Sequence, residues 1–126
     1  MIGTHARMPV FAWCEPADMR KGFETLSAIV REQLGADPLS GALFLFTNKQ
    51  RTHAKVIYFD GTGMCMFSKR LAKGRFASLW QYAKDRAIKL SKNELELFIQ
   101  GSHLIGRFQV EPAHLTSKDL ELRPRT

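Results

Sequence analysis

The sequence predicts an α+β fold in which a small antiparallel sheet, a meander, packs against an N-terminal helix. A C-terminal helix and an extension should follow. Three observations lead to this prediction. Apolar residues recur at helical spacing over 19–34, a series of β-rich segments occupies 42–70, and Ser91 with Glu94 has the spacing of a capping box.

The size and composition of the chain indicate one globular domain. A length of 126 residues, with 44% hydrophobic and 25% charged residues, is typical of a domain that buries its own core. We therefore expect a single domain over 1–126, with a core of about 9–101 and a C-terminal extension over 102–126.

The sequence indicates a cytoplasmic protein. No segment approaches the roughly 20 apolar residues of a membrane span, and the first residues lack the apolar stretch of a signal peptide. The two cysteines, Cys14 and Cys65, are too few for a disulfide framework, and a reducing compartment fits them best.

The N-terminal part predicts one strand followed by one helix. Pro9–Cys14 is a short apolar run with β-forming side chains, which indicates a first strand. Asp18 then has the character of a helix N-cap, and Gly35 that of a C-terminal stop. The apolar residues between them follow the helical period, and they are Met19, Phe23, Leu26, Val30 and Leu34.

Three β-rich segments predict the meander. They are Ala42–Thr47, Ala54–Phe59 and Met64–Arg70. The sequence DGTG at Asp60–Gly63 suits a tight hairpin, because glycine accepts the positive φ that such turns require. The other connection, NKQRTH at Asn48–His53, is polar and basic. One face of these strands should pack against the first helix.

The C-terminal part predicts a short helix, a strand and a second, capped helix. Helical spacing from Phe76 through Leu79 and Ala83 predicts the short helix, and Ile88–Leu90 predicts the strand. The capping box at Ser91 then begins a helix that ends at Gly101. Residues 102–126 have no clear period, so they form a partly ordered extension or a docking arm.

The positive charge is concentrated in one stretch. The formal net charge is +7, but Lys49 to Lys92 contains 11 basic residues and only Asp60 and Asp85 as acids, which makes that stretch +9 and leaves −2 for the remainder. Such an excess predicts a positive face that binds a polyanion. The alternative is a basic surface that serves solubility alone.

The segment FSKRLAKGRF at Phe67–Phe76 interleaves cations with apolar residues, which fits contact with phosphates. Cations of the neighbouring strand and loop would add to it and make binding strongly salt-dependent. The alternative is that these cations are solvated or pair with glutamates elsewhere. The candidate DNA contacts in this part of the chain are Lys49, Arg51, Lys55, Lys69, Arg70, Lys73 and Arg75.

Arg20 and Lys21 fall in the predicted first turn of the first helix, where the helix dipole disfavours cations. A bound phosphate resting on the free amides would offset this, and so the two residues are candidate DNA contacts. The simpler explanation is local neutralisation by Asp18 and Glu24.

The sequence predicts no catalytic centre, no metal site and no cofactor. Asp18, Asp37 and Asp60 each have a local explanation as a cap or turn residue. The four histidines are scattered, neither cysteine lies in a nucleophile motif, and no glycine-rich phosphate loop occurs.

The chain resembles the TnpB accessory protein, or second open reading frame, of the insertion-sequence family numbered sixty-six. This family is distinct from the RNA-guided nuclease that shares the name TnpB. The resemblance covers about 9–101. It lies in four pieces in the same order and spacing: DMRKGF at 18–23, DPLSGALFLF at 37–46, KVIYFDGTGMCMFSKRLAKGRF at 55–76, and the apolar helix before Gly101.

The resemblance implies an accessory protein that is encoded beside a separate transposase and supports DNA transposition. It would bind DNA through a basic face, help to assemble the transposase complex, or both. The alternative is an adaptor that docks on the transposase without touching DNA. The family has no accepted catalytic residues to transfer. The chain departs from its relatives at Tyr58 and Phe59, where two tryptophans are common, and at Ala77 and Ser78, where Trp-Pro is usual.

Overall fold

The structure, a computed structural model, describes residues 8–80, 85–105 and 108–109. None of the helices in this part has the length and hydrophobicity needed to cross a membrane. The elements in chain order are β1 (Val10–Trp13), α1 (Phe23–Glu32), a 3₁₀ turn (Pro38–Ser40), β2 (Leu43–Thr47), β3 (His53–Phe59), β4 (Met64–Arg70), β5 (Ala87–Leu90), α2 (Lys92–Ile99), β6 (Leu104–Ile105) and β7 (Phe108–Gln109).

Five strands form one sheet in the order β4-β3-β2-β1-β5. The predicted antiparallel meander is confirmed, since β2 pairs with β3 and β3 pairs with β4 in antiparallel register. The sheet is nevertheless mixed, because β1 lies parallel to β2 and α1 forms the crossover between them. The strand β5 pairs with β1 in the antiparallel sense, and its prediction over Ile88–Leu90 is confirmed.

A helix packs on each face of the sheet. The prediction that α1 covers one face is confirmed, since Leu26 and Val30 of α1 pack with Phe44 and Phe46 of β2. The other face was not expected to be covered by a helix, yet Phe98 of α2 and its neighbour Leu95 pack there with Leu43 and Leu45. The strand β2 is therefore buried along its whole length, as expected of a strand enclosed on both faces.

The first helix begins at Phe23, so the prediction of Asp18 as its N-cap is wrong. The Asp18 carboxylate instead accepts the backbone N–H of Arg20 at 2.9 Å within a turn, and Gly22 is the N-cap without a side-chain hydrogen bond. A short aspartate side chain closes such a turn as readily as it caps a helix. Arg20 and Lys21 consequently precede the helix. The predicted glycine stop is confirmed at Gly35, which has a φ of 64°.

The hairpin turn at Asp60–Gly63 is confirmed. Gly61 has a φ of 102°, and the Asp60 carboxylate accepts hydrogen bonds from the backbone N–H groups of Thr62 and Gly63 at 2.8 and 2.9 Å. These hydrogen bonds lower the pKa of Asp60 to about 2. Asp60 is thus a turn residue in the structure, as predicted.

The predicted short helix from Phe76 is wrong over 76–80, which form no helix. Phe76, Ala77 and Leu79 are buried, and the ring of Phe76 stacks on that of Phe98 with centroids 5.0 Å apart. A surface helix buries only one face, so it could not bury these successive residues together. Their burial in the core therefore favours a non-helical conformation. The remainder of that prediction, over 81–84, lies outside the described residues.

The capping box of α2 is confirmed. The Ser91 hydroxyl accepts the backbone N–H of Glu94 at 3.0 Å, and the Glu94 carboxylate accepts the backbone N–H of Ser91 at 2.7 Å. The helix ends before Gly101, as predicted. In the expected extension, β6 and β7 form an antiparallel pair, and 110–126 lie outside the described residues.

Candidate nucleic-acid interface

The strand directions bring three basic segments to one end of the sheet. The strands β1 and β2 are parallel, so the residues after both of them lie at the same end. Because β3 is antiparallel to β2 and β4 to β3, that end also receives the start of β3 and the end of β4. We call this surface the basic end and define it as residues 14–21, 48–53 and 70–75.

Backbone hydrogen bonds fix the three segments relative to one another. The N–H of Ala17 donates to the carbonyl of Thr47 at 2.9 Å, and the N–H of Leu71 donates to the carbonyl of Thr52 at 2.9 Å. A third hydrogen bond joins the N–H of Phe76 to the carbonyl of Arg51 at 2.6 Å. Cations on these segments are therefore held on ordered backbone rather than on independent loops.

Five cations of the basic end are exposed and lack a carboxylate partner among the described residues. Within the described residues the ion pairs are Arg20 with Asp18 and Arg86 with Glu15. The other predicted contact residues have no ion-pair partner among the described residues. Those that are also exposed are Lys21, Lys49, Arg70, Lys73 and Arg75.

The cations do not all share one face of the sheet, contrary to the expected positive face. Arg70 lies opposite His53 and Lys69 lies opposite Ala54. Because successive side chains of a strand point to opposite faces, Arg70 shares the α1 side of the sheet with Lys55, and Lys69 belongs to the α2 side. The exposed cations share one end of the sheet rather than one face. Lys69 is separated from Arg70 because its side chain lies on the opposite face.

Lys55 and Arg51 bind backbone carbonyls of neighbouring segments. The Lys55 ammonium donates to the carbonyls of Met19 and Lys21 at 2.7 and 3.2 Å. The Arg51 guanidinium donates to the carbonyl of Phe76 at 3.3 Å, and Arg51 has a positive φ of 61°. Both residues therefore hold the segments of the basic end in place.

Arg20 is neutralised locally by Asp18, as the simpler sequence explanation held. Two hydrogen bonds, from Nε at 3.1 Å and from Nη2 at 2.8 Å, join its guanidinium to the carboxylate. They hold the pKa of Asp18 well below its usual range. The Arg20 side chain is still 90% exposed, and Lys21 beside it is also exposed, so both cations face solvent.

A groove of about 520 Å³ opens at the basic end between the 16–20 segment and the 48–50 loop. Arg20 and Lys49 line it, and so does His53, whose Nε2 lies 2.7 Å from the hydroxyl of Ser68. Partial burial lowers the pKa of His53, and the nearby Lys55 and Arg70 lower it further. These effects favour the neutral form of the imidazole.

Sequence reasoning did not identify His53 and Ser68 as part of a site. The signal that could have found them is strand alternation. Ser68 lies opposite Lys55, which is two residues after His53 on β3. Residues two apart in a strand point to the same face, so His53 and Ser68 are diagonal neighbours on one side of the sheet.

The thiol of Cys14 is not activated, and the described residues contain no grouping of metal ligands. Burial raises the pKa of the Cys14 thiol to about 12, which keeps it protonated. Nowhere in 8–80 or 85–105 do three or more histidine, cysteine, aspartate or glutamate side chains come together so that they could hold a metal ion.

Comparison with known proteins identifies the family. The family model described as "IS66 Orf2 like protein" matches residues 8–107. The chain belongs to this family. The matched residues contain the whole basic end, and the resemblance to insertion-sequence accessory proteins is confirmed. The IS66 Orf2-like family is one of accessory proteins of insertion sequences rather than a known catalytic family.

Two relatives come from Sinorhizobium fredii (strain NBRC 101917 / NGR234). The chain is 43% identical to the uncharacterized protein y4hO over 84 residues, which are 67% of this chain and 71% of the relative. It is 35% identical to the uncharacterized protein y4jC over 101 residues, which are 80% of this chain and 85% of the relative. No solved structure matches the chain.

A pair of lysine substitutions distinguishes cations that hold the fold from cations that do not. Lys55→Met removes two hydrogen bonds from a charged donor and should lower the free energy of unfolding by about 1–3 kcal/mol. Lys69→Met, on the next strand, has no such bonds among the described residues and should change it by less than about 0.5 kcal/mol. Urea denaturation measures both, and equal stabilities would show that Lys55 does not secure the 18–21 segment.

Proposed function

We propose that this IS66 Orf2-like protein binds DNA through the basic end, as an accessory factor in transposition of its insertion sequence. The observation that supports this most directly is the group of five exposed cations without a carboxylate partner in the described residues, Lys21, Lys49, Arg70, Lys73 and Arg75. The role is one of binding, in the bacterial cytoplasm where the element's DNA lies, rather than of catalysis.

Physical chemistry gives the expected character of this binding. Each lysine or arginine that reaches a phosphate releases condensed counterions, so the affinity falls as salt rises. The five unpaired cations of the basic end offer about five phosphate contacts, which is enough for strong salt dependence. Contacts of this kind position a protein on DNA without reading its sequence.

Two triple variants of equal charge test the proposal. Lys49→Gln, Arg70→Gln and Lys73→Gln together remove three cations from the basic end. They should weaken binding to a duplex of the element's terminal sequence by about ten- to a hundredfold near 0.1 M salt, and they should flatten the slope of log affinity against log salt by about 2–3. Titrations at several salt concentrations measure both quantities.

The matched control removes three cations that lie outside the basic end: Arg31, Lys89 and Lys92, each changed to Gln. Both variants lower the formal net charge of +7 by the same amount. The control should keep nearly the whole affinity and slope. Equal losses in the two variants would mean that total charge, and not the basic end, governs binding, and a wild-type protein that does not bind at low salt would exclude the proposal.

A second candidate function is docking on the transposase of the same element. The supporting observation is the position of β4 at the edge of the sheet, where Met66 is 38% exposed. An edge strand can pair with an extended segment of another protein, and exposed apolar side chains then add specificity.

Exchanging an exposed apolar side chain for a charge tests the docking function. Met66→Lys should reduce co-purification of the transposase with this protein severalfold, since a lysine on an edge strand opposes strand addition. Leu39→Lys is the control, because Leu39 is 56% exposed but lies in the 3₁₀ turn and not on the edge strand. Capture of the transposase that is unchanged by Met66→Lys would exclude docking on this edge.

A further inference from the structure

The groove at the basic end combines hydrogen-bonding groups that suit a phosphate. His53 lines the groove, and its Nε2 is hydrogen-bonded to the Ser68 hydroxyl at 2.7 Å, which leaves Nδ1 as the ring nitrogen that can bond to a ligand. Arg70 stands directly opposite His53 in the strand register, and Arg20 and Lys49 line the groove. Imidazole, hydroxyl and guanidinium groups are all donors that phosphate oxygens accept from.

The size of the groove fits more than an isolated ion. Its volume of about 520 Å³ lies within the range of sites that bind small molecules, roughly 300–1,000 Å³. A phosphate together with part of its sugar therefore fits in the groove. A flat patch of lysines, in contrast, would attract the phosphate by charge alone. The groove can therefore fix the position of a phosphate that the charge of the basic end attracts.

The charged groups around His53 come from every segment packed against it. Lys55 lies on its own strand, Arg70 and the neutral Ser68 lie on β4, and Lys49 lies on the preceding loop. The segment across the groove contributes Arg20 and Asp18, which pair with each other. Because Asp18 is the one carboxylate that lines the groove and is already paired, the environment of His53 is cationic.

We infer that this groove holds one backbone phosphate of the nucleic acid and that His53 takes up a proton from solvent when the phosphate binds. The inference rests on the proposed function and specifies how it is regulated. Without a ligand, burial and the cations Lys55 and Arg70 favour the neutral imidazole. A phosphate anion beside the ring reverses that balance, and the imidazolium then donates to it.

The sign of the pH dependence follows from linkage. When the pKa of His53 is higher in the complex than in the free protein, binding takes up a proton, so affinity increases as the pH falls. The increase begins below the pKa of the complex and is complete below the pKa of the free protein. Each unit of difference between the two values makes the full effect tenfold larger, about 1.4 kcal/mol.

The direct test is the pKa of His53, measured from the ring resonances of the full chain by NMR. Three samples are compared: the free protein, the protein with a short duplex, and the protein with inorganic pyrophosphate. We expect the duplex to raise the pKa by about one unit or more. A rise with pyrophosphate as well would show that phosphate alone suffices, and a rise with the duplex alone would show that the sugar-phosphate backbone is required.

His53→Gln keeps a side chain that can bond to Ser68 but cannot titrate, so its affinity for the duplex should not change between pH 8 and pH 5.5 through this site. His103→Gln is the matched control, because His103 contacts the carbonyl of Arg75 and does not line the groove. The control should retain the increase of about tenfold that we expect for the wild type over this range.

The outcomes separate the inference from the proposed function. An unchanged His53 pKa with both probes overturns the inference, even when the duplex binds and the basic-end variant weakens it. Failure to bind the duplex, together with a raised pKa in pyrophosphate, would overturn the proposed function and retain the phosphate site.

Discussion

The parallel pairing of β1 with β2 determines where the charge of this protein lies. Because the two strands run the same way, the chain leaves both of them at one end of the sheet, and the antiparallel partners β3 and β4 bring the 48–53 and 70–75 segments to that end. Had β1 joined the sheet in the opposite direction, residues 14–21 would lie at the far end, beside the turn at Asp60. The groove and its two walls therefore depend on this pairing.

The basic residues in and next to the basic end have two different roles. Lys55 and Arg51 donate hydrogen bonds to backbone carbonyls and thereby fix the arrangement of the three segments. Lys49, Arg70 and Lys73 are exposed and have no ion-pair partner within the described residues, so their charge is available to a ligand. This division explains how a small sheet can present a preorganised cationic surface, since the cost of ordering the loops is met within the fold.

Most strands, the DGTG hairpin and the capping box could be predicted from local sequence, because each depends on side chains within a few residues of one another. The parallel pairing could not, since strand order is a tertiary property. The prediction of Asp18 as an N-cap was wrong because the same carboxylate can close a turn or cap a helix. In the structure it accepts hydrogen bonds from the backbone N–H and the guanidinium of Arg20, which stabilise the turn. The separation of Lys69 from Arg70 was accessible from strand alternation, whereas the groove depends on loops from distant parts of the chain.

The central claim is that the basic end is the surface that meets DNA, and mapping that surface tests it most directly. Backbone amide resonances of the full chain, followed as a short duplex is added, report which residues sense the ligand. We expect the largest changes in 14–21, 48–53 and 70–75, with small changes at the opposite end around Pro38–Ser40 and Asp60. Changes centred on that opposite end, or spread evenly over the molecule, would contradict it.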